Sequence, residues 1–467
     1  MQKYNSVSGK VIYQLKEIVG DKYVYTDNEK MEPYSHDEVA GSEYMQYPEV
    51  VVLPETAEQI AAIVRLANEN IIPIVPRGAG TGLSCAAVPF LRGIVVSVER
   101  LNKIIELDTT NMFIVVEPGV TTDYIQKTAN ASGFLYAGDP SSGDSSFIGG
   151  NVATNAGGNK AVKYGTTRRQ IYGLEFVSPQ GKIITLGGKC VKDTTGYNLF
   201  QLLIGSEGTL GIITKIYIKL IPLPEHSMNL LAIFPDLVSA IQTVPKIMSA
   251  GVAPVSVEFM DNLVVQNCED FLREKLPHSD DGYYIIVQIE GNNEEVLEDQ
   301  CVTIDEICMA SGAITVLVAD SSKIWKARKC VAEADRARSL IFASEDLVVP
   351  MSAVSQAVQK VVEIGKKYGV RVHCAGHAGD GNVHANILKE DIPEDKWHEI
   401  VPQIHNEIYQ FVYSIGGKLS GEHGIGYKRK DLLAQFIDPD ELEMMRAIKL
   451  ALDPKLIMNP GKIFDVF

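Results

Sequence analysis

Pro76-Arg77-Gly78-Ala79-Gly80-Thr81-Gly82-Leu83-Ser84 is the stretch on which the reading of this chain turns. It follows Ile71-Ile72-Pro73-Ile74-Val75, an apolar run of strand length. Upstream, Val50-Val51-Val52-Leu53 reads as a short buried strand, and Thr56 with Glu58 opens a helix running to about Asn70. Strand, helix and strand in that order predict an α/β unit. A loop of small residues lets several backbone N–H groups converge on one point, and such a concavity suits a pyrophosphate. A plain tight turn has the same composition, and one glycine cluster does not separate the two. It is not a Walker loop, because no Gly-Lys-Ser/Thr follows.

Three further small-residue segments lie downstream. Pro140, Ser141 and Ser142, with Ser145 close behind, precede Ile148-Gly149-Gly150-Asn151-Val152-Ala153-Thr154-Asn155, and Gly205-Ser206-Glu207-Gly208-Thr209-Leu210-Gly211-Ile212-Ile213 follows. Loops closing around one long ligand explain this recurrence better than independent turns do. In order and spacing the four motifs resemble the FAD domain of the vanillyl-alcohol-oxidase and p-cresol-methylhydroxylase type, from about Pro48 to Ile221. The resemblance implies that Pro76, Arg77, Gly78, Ala79, Gly80, Thr81 and Gly82 cradle the FAD pyrophosphate. It places Pro140, Ser141, Ser142, Ser145, Gly149, Gly150, Asn151, Ala153 and Thr154 along the cofactor near its isoalloxazine ring. Glu207, Gly208, Gly211, Ile212 and Ile213 would lie toward the ribose and adenine, and Asn459 of the tail joins the cofactor contacts. Some members bond FAD covalently through a histidine in the first loop. This loop holds none, so the FAD expected here is non-covalent.

The second half carries Gly376-His377-Ala378-Gly379-Asp380-Gly381-Asn382-Val383-His384 and, further on, Ser420-Gly421-Glu422-His423-Gly424. Asp380-Gly381 is a good hairpin turn, which would bring two strand-borne histidines face to face. Two imidazoles and a carboxylate suit one divalent ion such as Zn²⁺, Fe²⁺ or Mn²⁺, with positions left for a substrate. His373, His398 and His405 have no such context and read as structural. The paired motifs resemble the C-terminal signature of the glycolate oxidase flavin subunit, D-lactate dehydrogenase and D-2-hydroxyglutarate dehydrogenase group. The resemblance implies His377, His384 and Glu422 as metal ligands, His423 as catalytic base, and Asn386 as a substrate contact. It also implies Arg328, on a helix opening at Trp325, as a clamp for the substrate carboxylate, although that helix reads equally well as a solvated basic face. Ala332 and Ser344 are small where a second substrate carboxylate would want polar partners, which favours lactate or glycolate over a dicarboxylate.

Oxidation of a 2-hydroxy acid fits such a set. A metal on the hydroxyl and carboxylate oxygens lowers the hydroxyl pKa, and a neutral imidazole takes the proton. A metal-dependent hydrolase leaves the four glycine loops unexplained, and a flavin relay module without catalysis leaves the histidines unexplained.

Composition bounds the rest. The chain has 467 residues, 46% hydrophobic and 22% charged, which suits a globular protein of more than one domain. Its 43 basic and 59 acidic residues give a formal charge of −16, which argues against nucleic acid or an anionic membrane as partner. No apolar stretch approaches the roughly 18 residues of a spanning helix, and the start lacks a signal-peptide block, so a cytoplasmic location is expected. Seven scattered cysteines without a Cys-x-x-Cys pair predict no iron–sulfur cluster. Electrons must therefore leave the single flavin for an outside acceptor. The resemblance extends to lactate dehydrogenase subunits that work with an electron-transfer flavoprotein, some of them bifurcating, and an iron–sulfur subunit would serve equally well. The fold class expected is α+β. Residues 1–45 would form a helical arm, 46–222 the FAD domain in two subdomains, and 223–410 a substrate cap. Residues 411–467 would complete the active site and return to the FAD domain.

Overall fold

The computed structural model describes residues 4–318 and 321–466, so the first three residues of the expected arm lie outside it. The chain divides into two compact units. One comprises Met1–Gly157, Thr166–Leu223 and Glu422–Phe467, and the other Gly158–Gly165 and Pro224–Gly421. The mixture of helix and antiparallel and parallel sheet is that of the α+β class expected.

In the first unit, Val50–Val52, Ile94–Ser97 and Ile74–Arg77 run parallel in one small sheet. The helix Ala57–Asn70 supplies the crossover. Its Thr56 side chain accepts from Gln59 N–H at 3.2 Å, and Ile71 ends it in the left-handed region (φ 54°). Residues 4–45 are built into this unit. Val24–Tyr25 adds an antiparallel edge strand to the sheet, and helix Gly9–Val19 buries Val11, Leu15 and Val19 in the same core as Ile60 and Val64. A second, five-stranded antiparallel sheet contains Phe113–Val116, Ile171–Val177 and Ile212–Lys219. The tail closes back on the first sheet, where Ile74 N–H donates to Ile457 O and Asn459 N–H to Ile74 O, both at 2.7 Å.

The second unit is built on a seven-stranded antiparallel sheet. Its order is Thr315–Val318, His226–Phe234, Tyr283–Gly291, Ser256–Met260, Arg371–His377, Asn382–Leu388, Phe342–Val348. Helices Asn262–Leu272, Ser321–Lys329 and Val331–Arg338 pack on one face, around Met260, Ile286 and Ala375. The helix Glu394–Ser414 carries Pro402 inside it.

Register decides which side chains meet. Directly opposed residues of an antiparallel sheet point to the same face. Glu258 pairs with His377, His377 with Asn382, His384 with Ala375 and Asp346, and Asn386 with His373 and Ser344. One sheet face therefore carries Glu258, His373, His377, Asn382, His384, Asn386 and Asp346, beside the apolar patch that the three helices cover. The turn between the two histidine strands requires glycine at position 381. Its φ is +87°, and an added Cβ would come within 2.0 Å of Val349 O.

Candidate active site

Within the first unit, three of the four small-residue segments meet. The backbones of Gly78 and Gly150 are so close that a Cβ on Gly78 would touch Gly150 at 3.5 Å. Glu207 N–H donates to Ala153 O at 2.7 Å, and Gly205 N–H to Val152 O at 3.0 Å. The Pro140–Ser145 segment is held separately, by Gly143 N–H on Pro140 O and by Asp123 N–H on Gly143 O, each at 2.9 Å. Among the described residues, no backbone N–H from Gly78 to Ser84 donates to another group of the chain, whereas Cys85 N–H is taken by Asp37 Oδ2 at 2.7 Å. A run of N–H groups without internal acceptors is what a bound pyrophosphate requires, so the loop fits that half of FAD.

Several side chains expected on the cofactor make bonds within the loop framework. The Arg77 guanidinium donates to Pro33 O at 2.7 Å and His36 O at 2.9 Å, buried beneath Gly80. Asn151 donates to Thr122 Oγ1 at 2.7 Å. Asn459 donates to Glu207 O at 2.7 Å and Ala86 O at 3.0 Å. Glu207 itself accepts from Ile425 N–H and Gly426 N–H, both at 2.7 Å. Burial pushes its carboxyl up to about 7, against those two N–H groups and the cations Lys462 and Arg429. Glu207 thus anchors the segment that begins with Glu422 and His423. Glu422 packs on Gly157, where any Cβ would meet its carboxylate at 2.3 Å.

Within the second unit, the two expected histidine ligands come together. The rings of His377 and His384 stand 5.2 Å apart, centre to centre, and at 86° to each other. Their ring nitrogens lie within 4.8 Å, near the separation of about 3 to 4 Å that two nitrogens bound to one ion at about 2.1 Å adopt. Each ring has a carboxylate at Nδ1. Glu258 Oε1 is 2.8 Å from that of His377, and Asp346 Oδ1 is 3.5 Å from that of His384. For His377 this is the usual carboxylate–histidine support of a ligand ring, with Nε2 left for an ion; the Asp346 contact to His384 is longer than a hydrogen bond. Asp346 is fixed in turn by Asn382 Nδ2 at 2.8 Å and Ser420 Oγ at 2.6 Å, and Gly421 N–H donates to its carbonyl at 3.2 Å. The unit's chain therefore ends beside Asp346, one residue before Glu422.

Arg328 is not on a solvated face. It is buried, with Nε at 3.0 Å and Nη2 at 2.8 Å from Glu258 Oε2. Among the described residues Nη1 has no partner. Burial alone would raise the Glu258 pKa, but His377 and Arg328 on either side bring it below the ordinary carboxylate range. Asn386 donates to Asp335 Oδ2 at 2.6 Å. His373, read from sequence as merely structural, binds the other oxygen of the same carboxylate through Nδ1 at 2.6 Å.

Glu258, Asp335 and Asp346 escaped the sequence reading. A signal was present for one of them: Glu258 is the single carboxylate of the wholly buried strand Ser256–Met260, whereas Asp346 follows Glu345 in the mixed strand Phe342–Val348. A lone carboxylate in an apolar strand needs a buried cationic or donor partner.

Two family models match the sequence, an FAD binding domain over residues 48–187 and the C-terminal domain of FAD linked oxidases over residues 223–463. A D-lactate dehydrogenase of Anaerostipes hadrus is 37% identical, with 99% of this chain and 98% of that protein covered. The glycolate oxidase subunit GlcD of Bacillus subtilis is 36% identical, over 97% of this chain and 96% of that one. A D-2-hydroxyglutarate dehydrogenase of Stutzerimonas stutzeri is 32% identical, over 97% and 98%. Among solved structures, p-cresol methylhydroxylase with substrate bound superposes with a TM-score of 0.81 at 18% identity, over 98% of this chain and 97% of that one, a likeness of fold alone. Among the described residues no helix is long and apolar enough to cross a membrane.

Proposed function

The chain belongs to the FAD-linked oxidases, and from that premise we propose that it is a dehydrogenase of short 2-hydroxy acids, converting D-lactate or glycolate to the 2-oxo acid. The observation that carries this reading is the pair His377 and His384, with rings 5.2 Å apart on one sheet face and the buried Glu258 carboxylate on Nδ1 of His377 at 2.8 Å. FAD, held non-covalently, supplies the acceptor for the hydride leaving C2. His377, His384 and Glu422 would hold a divalent ion, which would supply Lewis-acid chemistry at the substrate.

The chain's own residues do the remainder. Glu258 holds the His377 ring in the tautomer with Nε2 unprotonated. Arg328, oriented by the same Glu258, offers Nη1 to the substrate carboxylate. His423 receives the hydroxyl proton as C2 loses its hydride, which keeps charge from building on the substrate. Asn386 borders the substrate beyond His384. Electrons then leave for a protein acceptor, an electron-transfer flavoprotein or an iron–sulfur subunit.

Anaerobic mixing of the yellow protein with D-lactate or glycolate tests this reading. Bleaching of the flavin absorption supports it. A flavin that stays oxidised with every short 2-hydroxy acid refutes it and leaves a bare electron relay.

A further inference from the structure

The polar groups one step along the sheet from His377 and His384 have not been accounted for. His373 is 1% exposed, and Asn386 stands directly opposite it on the next strand. Asp335, fully buried on helix Val331–Arg338, fixes both of them. Its Oδ1 is 2.6 Å from His373 Nδ1 and accepts from Asn267 Nδ2 at 2.9 Å, while its Oδ2 accepts from Asn386 Nδ2 at 2.6 Å. These bonds leave His373 Nε2 and Asn386 Oδ1 as the remaining polar atoms. Both are buried and, among the described residues, both lack a hydrogen-bond partner. Buried polar atoms are nearly always bonded, so two such atoms on directly opposed residues of the histidine face favour a polar partner there.

We propose that His373 and Asn386 form a distal subsite for a hydroxyl of the substrate, so that the preferred acid carries a second hydroxyl near C4. This rests on the reading of the site as a 2-hydroxyacid dehydrogenase. Asn386 lies two residues beyond His384, about 7 Å along the strand. The residue opposite His384 is Ala375, a single methyl packed with Met260 and Ile286 beneath the three helices. Asn386 Oδ1 accepts only. His373 Nε2 accepts when the ring is neutral and donates when it is protonated. A hydroxyl, which both donates and accepts, satisfies the pair. A methyl leaves both atoms unbonded. A second carboxylate has no proton for Oδ1 and would face Asp335, in keeping with the small side chains at Ala332 and Ser344.

The test uses the FAD- and metal-loaded protein and a matched pair, 2-hydroxybutyrate and 2,4-dihydroxybutyrate, beside lactate, glycolate and 2-hydroxyglutarate. Anaerobic flavin reduction gives kcat/KM for each acid, and perturbation of the oxidised flavin spectrum gives the affinity for each 2-oxo product. The dihydroxy acid should exceed its matched partner by about 10- to 100-fold, because the analogue that lacks the hydroxyl leaves buried polar atoms unbonded. Product affinities should follow the same order. The preference should collapse in His373→Phe and be partly kept in His373→Gln, which retains a donor and an acceptor. Equal or faster reduction by lactate, 2-hydroxybutyrate or 2-hydroxyglutarate overturns the subsite while leaving the dehydrogenase reading intact. A preference that survives His373→Phe also overturns it, since a bound water then satisfies the two atoms. Reduction by none of the acids sinks both.

Discussion

Glu258 Oε1 lies 2.8 Å from Nδ1 of His377, while the other oxygen of the same buried carboxylate takes Nε and Nη2 of Arg328. One side chain thus orients both a candidate metal ligand and a candidate substrate clamp. Replacing Glu258 by Gln keeps the shape but removes the charge. Carboxylate support of a ligand histidine is worth about 10- to 100-fold in metal affinity. Glu258→Gln should therefore lose that much affinity, read as metal content after dialysis against graded chelator, while its flavin stays bound. Unchanged metal content would make Glu258 a purely structural anion. Glu258→Ala goes further and strands the buried Arg328 charge, a loss of about 3–5 kcal/mol of stability in chemical denaturation.

The first glycine loop has its own test. Gly80 has φ +81°, and a Cβ there would stand 2.1 Å from Arg77 Nη2. Gly80→Ala therefore displaces the guanidinium that ties Pro33 and His36 to the loop. FAD affinity, followed by flavin fluorescence on dilution, should fall by at least about tenfold, the equivalent of one lost charged hydrogen bond. Tight FAD binding in that variant would mean that the loop tolerates Arg77 elsewhere and is not the cradle.

Stability should pass through a minimum near neutral pH. Burial raises the Glu207 carboxyl to about 7 in the folded state, so stability is fully present below its ordinary unfolded value and is lost as pH rises through about 7. Burial lowers the Lys462 ammonium to about 8, and there the unfolded chain binds the extra proton, so stability recovers as pH climbs from about 8 toward the ordinary lysine range. The melting temperature of the FAD-free protein should trace this trough. Glu207→Gln should remove the acidic limb and Lys462→Met the alkaline one. A profile that both variants leave unchanged contradicts the assignment.

How much of this was legible in the sequence differs between the two halves. The strand–helix–strand unit around Pro76 and the hairpin between His377 and His384 declare themselves locally, through apolar runs, an N-cap at Thr56 and a turn at Asp380-Gly381. Arg77, Asn151, Glu207 and Asn459 were expected on the cofactor, and their side chains hold loops together. Their partners lie far off along the chain, as with Asn459 and Ala86, and no local pattern records such pairings. Glu258 and Asp346 support histidines more than thirty residues away, through a sheet order that joins Ser256–Met260 to Arg371–His377. Only the register sets them beside the two histidines, and the same register places His373 on the same sheet face.

Comparison of the chain with His384→Ala tests whether the histidine face oxidises a 2-hydroxy acid at the flavin. Both proteins should purify yellow. Anaerobic D-lactate or glycolate should bleach the first and leave the second oxidised, with equal flavin content. Bleaching of both at the same rate, or loss of flavin together with activity in the variant, would contradict it.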